Sequence, residues 1–448
     1  MIRLFLLSIN FLILISLSSC TNGNAAESIA DETTSDNAKK APVKPSENFI
    51  FKELRLAKVI QSKVMKPKDS LSIFEPAINS PKSVIYSKDG SKFYINSLEG
   101  GVTAVFDTKT FRKLKEIRHD FNAGNNSLFK NNENTVFDYK FKQVKKEYNY
   151  FSGKPVESCL SHDGKYLWVT YYRRNFDAKA ESPSAVAIID TEQDQIVRVM
   201  PSGPLPKMIA CSNDNKFIAV THWGDNTVGL IDISSSDPME FTYVSHIVVD
   251  KRLSLNFSQS DNRDQNCGNC LRGTTFTPDN KNILIAKMGG NGIAIIDVNA
   301  KKYVGTITGS YQNLRHLVIN QDQLILSSNK FGYVQKAKIN DILTAGPNQQ
   351  NQIEFKDWQT VKVGTGARTI DVTKDGKIIF ACVNNESKVA VIDAESMKVI
   401  SELRVASFPV GMSLSPDDKQ LIITSQGKSG VLNSGNTVTV FDVVYSKK

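Results

Sequence analysis

The sequence predicts an all-β fold: a seven-bladed β-propeller of four-stranded antiparallel blades, closed by a strand from the N-terminal side. Three observations lead there. A turn of Ser-x-Asp-Gly type recurs seven times between apolar, partly alternating runs. A second aspartate ends a third apolar run in six of the seven units. The seventh unit stops without a fourth strand, while a strand-like segment of matching length lies unused ahead of the first.

Composition frames this reading. The chain has 448 residues, 40% hydrophobic and 23% charged, which excludes disorder, collagen and a multi-span membrane protein. The net charge of +9 is spread along the chain without a basic block, so nucleic acid is not an indicated partner. Five His residues exclude a His-rich metal or haem protein, and no cofactor is expected.

In chain order, residues 1–20 read as a lipoprotein signal peptide. Arg3 precedes an apolar run from Leu4 to Leu17, too short for an ordinary membrane span. The run ends in Leu17-Ser18-Ser19-Cys20, which resembles the bacterial lipobox. The resemblance implies that Cys20 is acylated, with palmitate-type chains anchoring it to a membrane. Thr21, rather than Asp, follows the Cys and points to the outer membrane, with its surface and periplasmic sides both open. Residues 21–49 hold Ile29, Val43 and Phe49 as their only larger apolar side chains, too few to offset ordering entropy. They read as a flexible tether spanning on the order of 30 Å.

Residues 50–448 form the repeats. The turns are Ser87-Lys88-Asp89-Gly90, Ser161-His162-Asp163-Gly164, Ser212-Asn213-Asp214-Asn215, Thr277-Pro278-Asp279-Asn280, Asn320-Gln321-Asp322-Gln323, Thr373-Lys374-Asp375-Gly376 and Ser415-Pro416-Asp417-Asp418. Asp-Gly and Asp-Asn tolerate positive φ and suit tight hairpins. The second aspartates are Asp107, Asp190, Asp232, Asp297, Asp393 and Asp442; the fifth unit lacks one. Four short strands per unit, seven times over, give a propeller. The segment Leu54–Ile60 is expected to pair as the outer strand of the last blade and so remove an open edge.

The units resemble the 40-residue β-propeller repeats named after a Tyr-Val-Thr-Asn tetrapeptide, relatives in form of WD40-like repeats. The counterparts here are Tyr94-Ile95-Asn96-Ser97, Trp168-Val169-Thr170-Tyr171, Ala219-Val220-Thr221-His222 and Cys382-Val383-Asn384. The Pro-Arg entry into the first strand appears as Pro81-Lys82 and Pro206-Lys207. Some spirochaetal surface lipoproteins resemble this layout but carry an immunoglobulin-like domain ahead of the propeller, for which residues 21–49 are too short and too polar.

Strand alternation sorts the loops. The loop after the fourth strand and the loop between second and third share one face, here the top. Insertions 120–152, 173–184, 251–271 and 426–436 fall there, and 337–353 and 234–240 fall on the bottom. Inserted loops on a rigid scaffold are where binding usually resides. The entry to the innermost strand is Lys82, Lys207, Arg272, Arg315 and Arg368 in five units, and Val156 and Val410 in the other two. Such cations either ring the channel mouth and attract anions or stitch the blades together. Tyr171, His222, Trp223 and Lys287, at the top of second strands, are expected to line a shallow binding rim.

Cys267-Gly268-Asn269-Cys270 lacks the following His of a haem site and a second pair for zinc. A disulfide between Cys267 and Cys270 suits an exported protein, with a redox-active or reduced pair as the alternatives. Cys159, Cys211 and Cys382 sit in apolar strands as free thiols. No Ser/His/Asp set or carboxylate pair stands out. The resulting expectation is an exported, lipid-anchored binding module that docks a protein or other macromolecule on its top face rather than an enzyme. The alternatives are a propeller-lactonase type of hydrolase, which would use His, Glu and Arg at the mouth, and a periplasmic carrier of an anionic ligand.

Overall fold

The aspartate turns fold as the spacing predicts, and their chemistry explains why they recur. In five units the Ser or Thr hydroxyl donates to the carboxylate two residues on: Ser87 to Asp89, Ser212 to Asp214, Thr277 to Asp279, Thr373 to Asp375 and Ser415 to Asp417, at 2.6–2.7 Å. The third-strand aspartates act differently. Asp107, Asp190, Asp232, Asp297 and Asp393 accept backbone N–H groups two or three residues ahead, which reverses the chain into the fourth strand.

The computed structural model describes residues 49–62, 70–130, 133, 150–180, 182–255, 262–346, 352–427 and 435–447. Cys20 and the tether up to residue 48 lie outside the described residues. Seven antiparallel sheets form a ring, a seven-bladed propeller. The innermost strands of blades 1 to 7 are Pro81–Tyr86, Phe151–Ser161, Pro206–Cys211, Leu271–Phe276, Leu314–Asn320, Ala367–Val372 and Pro409–Leu414.

The ring closes where expected. Phe49–Gln61 pairs antiparallel with Thr437–Lys447 in blade 7, with Leu54 opposite Val443 and Ile60 opposite Val438. Each face of a blade is apolar and packs on its neighbour, so the core is a set of wedges between blades. Not every blade is four-stranded. Blades 2, 4 and 7 gain a fifth short strand, Asp120–Phe121, Ile353–Glu354 and Ser72–Phe74. In blades 4 and 7 the extra strand lies parallel against the outermost strand and covers an edge that would otherwise offer unpaired backbone groups.

Two described residues of the longest insertion, Lys130 and Glu133, make contacts away from the top face. The insertion leaves the top after blade 1, but Glu133 pairs with Arg198 at 2.6 Å, and Lys130 donates to the Met239 carbonyl at 3.1 Å. Arg198 lies low on the outer strand of blade 2, and Met239 sits in a bottom loop of blade 3. These contacts place Lys130 and Glu133 against the outer wall. The reason is local: Arg198 is fully buried, so its charge needs a carboxylate.

Candidate functional site

The site is built from the entries of the inner strands. Every inner strand carries a register shift just after its entry, for example between Pro81 and Val84, Leu271 and Thr274, and Ala367 and Ile370. The same irregularity occurs in the other four. A bulge frees side chains from strict alternation and re-aims them. Here it turns the entry residue toward the channel.

The five predicted cations converge. Arg272 of blade 4 reaches Glu157 of blade 2 at 3.0 Å, skipping blade 3, so these side chains cross the channel mouth. Arg272 also donates to the Lys207 carbonyl at 3.5 Å. Lys207 pairs with Asp264 at 2.7 Å and lies between two aromatic faces, 4.2 Å from the Trp223 ring centre and 4.6 Å from that of Tyr172. Burial, with Arg272 and Arg315 adding repulsion against the pull of Asp264, holds the Lys207 ammonium down to about 7. Burial and then Arg368, Arg272 and Arg315 push the Lys82 ammonium well down. Val156 and Val410 fill the same position in blades 2 and 7 and are buried. Glu157, one residue beyond the entry, carries no signal in sequence, because strict alternation turns that residue away from the cations; the bulge brings it in.

The expected rim does not form. Tyr171 and His222 are 0% exposed and Lys287 1%, because the ends of second strands are wedged between blades. The Tyr171 hydroxyl donates to His119 Nδ1 at 2.9 Å, since Thr103 already donates to Asn96 and must accept from His119 Nε2. Lys287 pairs with Asp250 at 2.6 Å. Trp223, 7% exposed, backs Lys207 and donates to the Asp264 carbonyl at 3.1 Å.

His222 belongs to a line that the sequence did not show. Thr227 donates to Asp225 at 2.7 Å and accepts from His222 Nδ1 at 2.8 Å, so His222 Nε2 accepts from Ser202 Oγ at 2.9 Å. The order Asp, Thr, His, Ser has the look of a proton relay. All four residues are 0% exposed, and no substrate reaches a serine so placed. The line locks blade 2 to blade 3.

Blades 2 to 4 carry a roof on the top face. Ala180, Leu205, Trp223 and Cys267 pack together, with Tyr172, Cys270 and Met288 against them. Insertions 173–184 and 251–271 supply Ala180, Cys267 and Cys270, and are linked by the Arg263 N–H donating to the Lys179 carbonyl at 3.2 Å. Cys267 and Cys270 are joined at its base, with Cα atoms 4.8 Å apart. The roof also delivers Asp264 to Lys207. Cys159, Cys211 and Cys382 are free, and burial pushes the last two up to about 12. Blade 5 is different: Tyr311 and Phe331 are 40% and 41% exposed at its top. Tyr311 stacks on Tyr333 with ring centres 3.9 Å apart, flanked by Lys330 and Lys362. These isolated aromatics sit in short turns and give no pattern in sequence.

Lower in the channel, Ile85, Cys159, Ala210, Thr275, Val318, Asp371 and Ser413 hold equivalent inner-strand positions, all half-buried. Asp371 accepts N–H groups from Val372 at 2.9 Å and Leu414 at 2.8 Å. Burial pushes its carboxyl up to about 6 despite those donors, with Asp418 adding like charge. Desolvation, with Arg272 and Arg315 adding like charge, holds the half-buried His316 down to about 4.

No family model matches the chain. It is 25% identical over 174 residues to antigen Lp49 of Leptospira interrogans, a match covering 34% of this chain and 38% of that protein. The chain therefore spans well under half of that relative. Among solved structures it resembles a chain of the hydrazine synthase of Kuenenia stuttgartiensis, at TM-score 0.55 and 16% identity, over 84% of this chain and 98% of that one. It also resembles the Cps50 (Swd1) β-propeller domain of Myceliophteria thermophila, at TM-score 0.57 and 10% identity, over 88% and 100%. At such identities these likenesses speak for the fold alone.

Proposed function

We propose that this chain is an exported, lipid-anchored propeller that docks a protein partner on the open half of its top face. The observation that carries the reading is the exposed stack of Tyr311 and Tyr333 with Phe331 on blade 5. Large aromatics left in water beside lysines are the usual anchors of a protein interface. The partial likeness to an antigen supports export. The lipobox at Cys20 supports an anchor, with Thr21 favouring the outer membrane. The lactonase reading loses support, because His316 is the only His near the cations among the described residues.

The test is photo-crosslinking in intact cells. A photoreactive residue at Phe331 should give a discrete adduct, and one at Leu114, 54% exposed on the outer edge of blade 1, should not. Equal labelling from both positions would defeat the reading.

A further inference from the structure

Two of the five mouth cations are matched by carboxylates, Lys207 by Asp264 and Arg272 by Glu157. The other three have none among the described residues. Lys82 Nζ donates to the neutral Gln426 amide oxygen at 2.7 Å. The Arg315 guanidinium meets the Met288 thioether at 3.2 Å, and its buried Nε finds no acceptor. Arg368 is 6% exposed, its Nε also finds no acceptor, and its guanidinium lies 5.7 Å from the Phe408 ring centre. Five basic side chains against two carboxylates leave three, Lys82, Arg315 and Arg368, without an acid of their own among the described residues. A guanidinium withdrawn from water without an acceptor forfeits hydrogen bonds that the fold does not return.

We propose that the channel mouth is an oxyanion site, in which a carboxylate or phosphate group seats between Arg315 and Arg368 with Lys82 as third donor. The two arginines come from the adjacent inner strands Leu314–Asn320 and Ala367–Val372. Lys82 enters from blade 1, across blade 7, whose entry is the neutral Val410. A guanidinium fork matches the paired oxygens of such groups. Burial, and the cations around them, push both arginines down, Arg368 to about 9, so Arg368 is still charged near neutral pH. The inference deepens the docking reading and rests on it, since it names the chemistry that a top-face partner would insert, whether an acidic side chain or a free anion.

The test uses the full-length chain in detergent at fixed ionic strength. Thermal midpoint and titration calorimetry are followed with inorganic phosphate and with citrate, against chloride. A saturable rise in midpoint with either anion is expected. Arg368→Gln and Arg315→Gln should each weaken the apparent affinity at least ten-fold. They should also raise the midpoint in chloride alone, because a repelling buried charge has gone. Lys82→Gln provides a third, less buried variant should an arginine variant fold poorly. The site is overturned if neither anion acts beyond chloride, or if the variants respond as the parent does. Phosphate titration needs no partner. Loss of the Phe331 adduct with an intact phosphate response would therefore fault the docking alone, and the reverse would fault the oxyanion site alone.

Discussion

Replacing Ile60 by Ala tests whether the N-terminal strand closes the ring. Ile60 is fully buried and packs with Ile78, Val84, Val438 and Val440, which belong to blades 7 and 1 and the loop between them. The change removes three carbons. At roughly 0.8 kcal/mol per methylene plus a cavity term, the loss is about 3 kcal/mol. A unit of roughly 400 residues has an unfolding entropy near 0.8 kcal/mol per degree, so the midpoint should fall by about 4 °C. Leu56 is the internal control, because it lies on the same strand and is 41% exposed. The register shift between Leu56 and Lys58 separates it from Ile60 along the strand. Leu56→Ala removes the same three carbons from water rather than from a core and should cost under about 1 kcal/mol. Calorimetry of the full chain reads both variants. Hydrogen exchange of residues 437–447 should quicken in Ile60→Ala ahead of the other blades. Equal losses from the two variants would refute the register and with it the closure.

Two further outcomes are expected. Asp371 has a folded value of about 6 against an ordinary value near 3.8, so between these the native state holds the extra proton and stability falls as pH rises. The difference in unfolding free energy between the parent and Asp371→Asn should therefore drop by about 2 kcal/mol from pH 4 to pH 7, read by denaturant titration, and a flat difference would remove the strain assigned to this carboxylate. Cys20→Ser should abolish incorporation of labelled palmitate and move the chain from the membrane to the soluble fraction; retained labelling would place any acyl group elsewhere.

The blades were legible in the sequence because each turn is a local hydrogen-bonding device. Ser87 and Asp89 need only each other, and so do Thr373 and Asp375. The cation ring was legible for a related reason: one position per repeat maps to one height in the channel. The rim was not. Tyr171, His222 and Lys287 share a register with surface positions of a single hairpin, and only the neighbouring blade buries them. Burial between blades depends on contacts such as Tyr171 with His119, 52 residues apart, which no local pattern encodes. Glu157 escaped notice because a bulge, invisible in the pattern of side chains, moved it into the ring.

The roofing insertions and the exposed aromatics lie over different blades of the top face, and the reason is energetic. Two insertions over blades 2 to 4 help bury Trp223, Leu205 and Ala180 against one another and engage Asp264 with Lys207. Glu133 of a third neutralises Arg198 on the outer wall. Among their described residues these three loops are thus engaged by the scaffold, through apolar packing and through the ion pairs of Asp264 and Glu133. What remains open lies over blades 5 and 6, where the turns are short: Asn329–Gly332 exposes Phe331, and Gly364–Gly366 leaves Arg368 without a covering acid. A partner that met this surface would find hydrophobic area still in water and positive charge still unmatched. Both contribute to affinity only where the protein's own loops have not already used them.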